Sequence, residues 1–131
     1  MDMKLFKHTF LLLVIVAVLN WLASEFYLYW TIWWFDMLVH FLAGCTVAMA
    51  ILWLWPHINK IRTHTTIQII FVAIFATLII GILWELYELY FHLEFLSDGV
   101  PYFIDTSSDL LMDVSGGFIG AWHALRLIDK K

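Results

Sequence analysis

The chain has 131 residues, of which 63% are hydrophobic and only 14% charged, with a net charge of −4 and a mean hydropathy of +0.87. A soluble domain of this length rarely carries so little charge, so composition argues against a soluble enzyme or scaffold. The lone Cys45 excludes an intramolecular disulfide and a thiolate cluster for zinc or iron–sulfur, and reads as a small apolar packing residue.

Four apolar runs, at about 5–24, 36–55, 67–92 and 108–127, are each long enough to span a bilayer, which takes about 20 helical residues. They leave only short connections. The expected fold is therefore an all-α integral membrane protein, a four-transmembrane-helix bundle forming a single domain over residues 1–131. The first run follows Lys4 and Lys7 and has no small-x-small cleavage site after it, so it reads as a retained helix rather than a signal peptide. Tyr27, Tyr29, Trp30, Trp33 and Trp34 then crowd one loop, as expected of a short interfacial helix. The second helix opens with "DMLVHFLAG", which sets Asp36 and His40 on one face; Pro56 is expected to end it, and Trp53 and Trp55 mark its far interface. The third closes with "GILWELYELYFH", where Glu85 and Glu88 are three apart. The fourth begins within "DTSSDLLMDVSGG", where Asp105, Asp109 and Asp113 drift by about 80° over roughly 12 Å of helix.

Basic residues fall in three places: Lys4 and Lys7 at the start, Lys60 and Arg62 between the second and third helices, and Arg126, Lys130 and Lys131 at the end. With four spans these share one side, and the positive-inside rule makes that side cytoplasmic. The expected location is the inner (plasma) membrane, multi-pass, with both termini cytoplasmic. Only Asp2 and Asp129 join the basic residues; the other nine acids lie in the opposite loops or the helix halves that adjoin them.

Counting about 1.5 Å per residue from the outer helix ends puts His40, Glu85, Glu88, Asp109 and Asp113 at similar depths. No lysine or arginine stands between His8 and Lys60, or between Arg62 and Arg126, so these acids are not ordinary buried ion pairs. Crowded carboxylates resist simultaneous ionisation, and a divalent metal is the most economical counter-charge. Carboxylates with one imidazole suit Mg²⁺, Mn²⁺ or Zn²⁺, with Asp36, His40, Glu85, Glu88, Asp109 and Asp113 as the expected ligands. A proton or an organic cation is the alternative. Asp105 and Asp36 also suit helix N-caps, with Thr106, Ser107 and Ser108 as rivals to Asp105. Glu25, Glu94 and Asp98 read as solvated loop charges, His92 as an interface residue, and His123 as lying near the cytoplasmic end. Gly44, Gly81, Gly116, Gly117 and Gly120 suit close helix packing.

The frames "DMLVHFLAG" and "DLLMDVSGG", and the echo of "WLASE" in "WELYE", point to two parallel helical hairpins related by an axis along the membrane normal. D-x3-H-x3-G at Asp36, His40 and Gly44, W-E-x2-E at Trp84, Glu85 and Glu88, and D-x3-D-x3-D-x2-G at Asp105, Asp109, Asp113 and Gly116 carry a family likeness. Over residues 36–117 the chain resembles the YjdF-like family of uncharacterised small bacterial inner-membrane proteins. VanZ-like membrane proteins come second, because they more often have Asn where Asp113 stands. The resemblance implies membrane topology and site positions, not a reaction.

Two uses of such a site compete. One is a metal-assisted hydrolase or transferase of a lipid-linked phosphate at the outer leaflet, with a spare carboxylate or His40 as base. The D-G-x2-A-R half of the membrane phosphatidyltransferase motif is missing, as are basic phosphate clamps. The other is a protein that binds or transports a proton, metal or organic cation, which uncompensated acids suit directly. A structural membrane subunit is the third reading. The expected partners are the lipid bilayer and a lipid-linked or cationic small substrate; self-association is compatible with the pattern, and no nucleic acid is expected.

Overall fold

The structure, a computed structural model, describes residues 3–58, 65–91 and 101–128, with backbone alone for 55–58. Within these residues five helices follow one another: α1 (Met3–Glu25), α2 (Leu28–Thr31), α3 (Phe35–Ile58), α4 (Thr66–Phe91) and α5 (Tyr102–Ile128). Among the described residues there is no strand. Among the described residues three helices, α1, α3 and α4, are long and apolar enough to cross a membrane. At 27 residues α5 is the longest, about 40 Å of helix, but its first half carries Asp105, Asp109 and Asp113.

Local chemistry sets the helix ends. Tyr27 adopts a left-handed backbone, φ 56°, which breaks α1 from the single turn of α2. This turn carries Tyr29 back towards α1, where its hydroxyl donates to Asn20 Oδ1 at 2.7 Å. A reciprocal capping box starts α4: Thr65 Oγ1 accepts from Gln68 N–H at 3.3 Å, and Gln68 Oε1 accepts from Thr65 N–H at 2.9 Å. Pro101 starts α5; its carbonyl accepts from the N–H groups of Ile104 and Asp105.

These ends correct three expectations. The last helix begins about six residues before the apolar run, because proline is pre-organised for a helix start and the polar "DTSSD" is carried inside the helix. Asp105 is therefore in the first turn and not the cap. Asp36 likewise lies within the first turn of α3. Pro56 does not end α3, whose backbone stays helical to Ile58; proline forfeits its own N–H but keeps a helical φ, so a last turn tolerates it. Asp2, Lys60, Arg62, His92, Glu94, Asp98, Asp129, Lys130, Lys131 and the Trp55 side chain lie outside the described residues.

The packing is that of a membrane bundle, with bulk outside and small residues inside. Phe71 and Phe75 on α4 and Leu11 on α1 are exposed, whereas Ala48, Ala73, Ala121 and Ala124 are fully buried. Lipid tails are as apolar as leucine, so close backbone approach, not water exclusion, drives helix association. The tightest seam joins α3 and α5. A Cβ added at Gly116 would overlap the Phe41 carbonyl oxygen, and one at Gly44 or Gly120 would overlap backbone of Asp113 or Cys45. Helices α1 and α4 flank this pair and scarcely touch each other.

The two ends of the bundle differ. At one, Leu5, Leu52, Ile69 and Leu125 close an apolar core, and the exposed Lys4, Lys7 and Arg126 mark the rim, with Arg126 lying 4.2 Å over the Trp122 ring. At the other, Ala23, Phe35 and Val39 pack with Tyr29 beside the acidic residues.

Candidate cation site

Each candidate residue reaches the acidic end from the helix face its spacing dictates. His40 is the hub. Its Nδ1 lies 3.4 Å from Asp113 Oδ2, and its Nε2 lies 3.7 Å from Asp36 Oδ1, one turn back on α3. Only a doubly protonated ring can donate to both carboxylates; a neutral ring donates to one and offers a lone pair on the other side. The two helix frames meet here: His40 and Asp113 occupy the same place in "DMLVHFLAG" and "DLLMDVSGG" and face each other across the α3–α5 seam.

Candidate ligand atoms gather around this ring in two overlapping groups. Those of Asp36, His40 and Asp109 lie within 4.8 Å of one another, and so do those of His40, Glu85 and Glu88. Thus all six candidates converge on His40, from three helices. His40, Glu85, Asp109 and Asp113 are buried; Asp36 and Glu88 are half-buried. Asp105, one turn from Asp109, is half-buried at the rim, and Glu25 is exposed at the end of α1. His123 lies at the basic half of the bundle, where its Nε2 is 2.9 Å from His8 Nδ1.

Glycine makes the space. A Cβ at Gly81 on α4 would overlap Asp113 Oδ2, so the carboxylate depends on that gap. Thr106 Oγ1 donates to Glu85 Oε2 at 2.6 Å, leaving Oε1 for another partner. That second oxygen and Asp109 Oδ1 are both buried and have no hydrogen-bond partner among the described residues. Buried polar atoms are nearly always satisfied, and an unpartnered carboxylate oxygen is among the costliest exceptions. Such oxygens, in a ring of carboxylates around one imidazole, can be satisfied by a proton or by a cation.

Three contributors escaped the sequence reading. Thr106 reads in the sequence only as a cap. Asn20 and Tyr29 line the approach; burial, then the Asp36 and Glu88 carboxylates, push the Tyr29 phenol above its usual range, so it remains a donor. The signal for Asn20 was available, since it is an amide inside an apolar run.

Thr106→Val is expected to cost about 2 kcal/mol, the upper part of the range for a hydrogen bond to a charged acceptor, with Thr106→Ser close to wild type. Reversible unfolding in mixed micelles checks this, and equal stabilities for valine and serine would contradict it.

A family model described as a predicted membrane protein (DUF2238) matches residues 2–130. No curated protein and no solved structure matches the chain.

Proposed function

The chain belongs to this DUF2238 family of predicted membrane proteins, and we propose that it carries a divalent-cation site at the outer end of a four-helix membrane bundle. The observation that carries this reading is the pair of orphaned buried oxygens, Glu85 Oε1 and Asp109 Oδ1, in two ligand groups that share His40. Asp36, Asp109, Glu85 and Glu88 would hold the ion with His40 Nε2. Asp113, on the far ring nitrogen, would orient the imidazole as carboxylates do behind metal-bound histidines.

In this reading α5 crosses the membrane beside α1, α3 and α4, and the basic rim faces the cytoplasm. The frames that resemble YjdF-like proteins, and secondarily VanZ-like proteins, support an inner-membrane setting. A fusion at Lys131 should report the cytoplasm, and a cysteine at position 97 in a Cys45→Ala background should react with an impermeant thiol reagent from outside. Labelling at position 60 from outside would contradict this orientation.

The activity supported best is metal-assisted hydrolysis or transfer on a lipid-linked phosphate. The cation would polarise a phosphoryl oxygen and activate water. The apolar core at the basic half, closed by Leu52, Ile69 and Leu125, favours a one-sided site over a transport path. Uncompensated acids favour the second reading, binding of a cation as such. Equilibrium dialysis of purified protein against Mg²⁺, Mn²⁺ or Zn²⁺ tests the cation site. One ion per chain is expected, with affinity falling from pH 8 to pH 5 as protons compete for the ligands. No bound ion at any pH would refute it.

A further inference from the structure

A cavity of about 230 Å³ adjoins the cation site, and its two halves differ in chemistry. One half is bounded by Asp36, His40, Glu88 and Asp113, the other by residues such as Leu13, Val16, Val47 and Ile80. From Asp36 to Val47 the slot follows α3 for about 16 Å. Helices α1 and α4 form its sides, and because they scarcely touch, it opens sideways between them. Leu13 on one wall and Ile80 and Trp84 on the other are themselves exposed. The opening therefore faces the surroundings of the bundle, which for a membrane protein are lipid chains.

We infer that this slot binds the hydrophobic chain of a single-chain amphiphile with a phosphate head, drawn from the bilayer between α1 and α4, whose head meets the cation held at His40. This inference rests on the cation site proposed above. Size sets the number of chains: an apolar cavity of about 150 Å³ accepts one benzene ring, so this one holds one chain segment and not a diacyl pair. Continuity sets the register, since a chain lying against Val16 and Val47 brings its head to Asp36 and His40. Charge sets the head group. Carboxylates without lysine or arginine repel a phosphate, whereas a divalent ion among them takes phosphate oxygen as a further ligand. The buried, unpartnered oxygens of Glu85 and Asp109 do not line the slot themselves; each shares a ligand group with His40, which does. Phosphate binding must then depend on metal, and chain binding on open space at α1.

The test uses the full chain in nanodiscs, with decyl phosphate, decylamine and a diacyl phosphatidic acid as probes, each with Mn²⁺ or with chelator. Ala17→Phe and Val16→Phe fill the slot from α1; Ala17 is exposed, so the larger ring is compatible with folding. Decyl phosphate is expected to bind only with Mn²⁺, and at least tenfold more weakly to both variants, whose Mn²⁺ affinity stays within twofold of wild type. Mn²⁺ binding with no decyl phosphate binding, or with phosphate binding indifferent to both variants, overturns this inference and leaves the cation site standing. Diacyl phosphatidic acid binding as tightly as decyl phosphate, or decylamine binding best without metal, also overturns it. Absence of Mn²⁺ binding overturns the cation site and this inference together.

Discussion

Gly116→Ala is expected to destabilise the protein by about 2 kcal/mol, and Gly117→Ala, one residue on, by about half as much. At Gly116 the new methyl would fall on the Phe41 carbonyl oxygen and lie 3.1 Å from the Cys45 nitrogen. Both are backbone atoms of α3, so relief requires α3 and α5 to separate along their whole seam. Overpacking of this kind costs about 3 kcal/mol at the upper end of its usual range. Alanine's better helix propensity offsets about 1 kcal/mol. At Gly117 the methyl would meet the Thr77 side chain, with Oγ1 at 2.9 Å. That contact is with one side chain and not with backbone, but Thr77 is buried and its hydroxyl donates to the Ala73 carbonyl, so about 2 kcal/mol of crowding is only partly offset by about 1 kcal/mol of propensity. Reversible unfolding of the two variants in the same micelles decides the point, and equal losses would mean that the seam is not where the bundle is tightest. Gly116→Ala should also weaken cation binding, because the displaced seam carries His40 and Asp113 on its opposite sides.

Glu85→Gln and Asp109→Asn are expected to change the sign of their effect with metal. In chelator, each variant is as stable as wild type or more so. Each replaces a buried carboxyl crowded by a second one with a neutral amide of the same shape, and so removes a charge and its repulsion. At a metal concentration about 100 times the dissociation constant, wild type gains about 2.7 kcal/mol by mass action. The variants gain little, so wild type becomes the more stable protein. Thermal unfolding with chelator, then with Mn²⁺, separates the two regimes. Variants that are destabilised equally in both would show that the carboxylates serve packing alone.

Much of this arrangement was legible in the residues. Hydropathy marked α1, α3 and α4 to within a few residues, because a helix that crosses a bilayer needs a run of about 20 mostly apolar residues. The periodicities of Asp36 with His40, of Glu85 with Glu88 and of Asp109 with Asp113 each assign a common face, and equal depth from the helix ends assigns a common level. Whether those faces look at one another is a matter of helix rotation and partner choice. Here the decision rests on Gly44, Gly81 and Gly116, which show only as small residues until a neighbour is known. Hydropathy starts the last helix only at about residue 108, because the polar "DTSSD" adds nothing to an apolar run; inside α5 its Thr106 is spent on Glu85 and its serines on carbonyls of their own helix. The slot beside the site was out of reach of the sequence. It exists because α1 and α4 each pack against α3 without closing on each other, a fact about pairs of helices that no single periodicity holds. The His8–His123 contact was hidden for the same reason, joining residues 115 apart.

The proposed divalent cation would sit among carboxylates with His40 as its one nitrogen ligand. Pulsed electron paramagnetic resonance of Mn²⁺ bound to the purified protein tests this most directly, because a directly bonded imidazole nitrogen modulates the echo. Wild type should show a single ¹⁴N coupling, which is lost in His40→Gln and kept in Asp113→Asn, where the ring remains but its orienting partner is altered. Bound Mn²⁺ with no nitrogen coupling in wild type, or a coupling that survives in His40→Gln, would contradict the account.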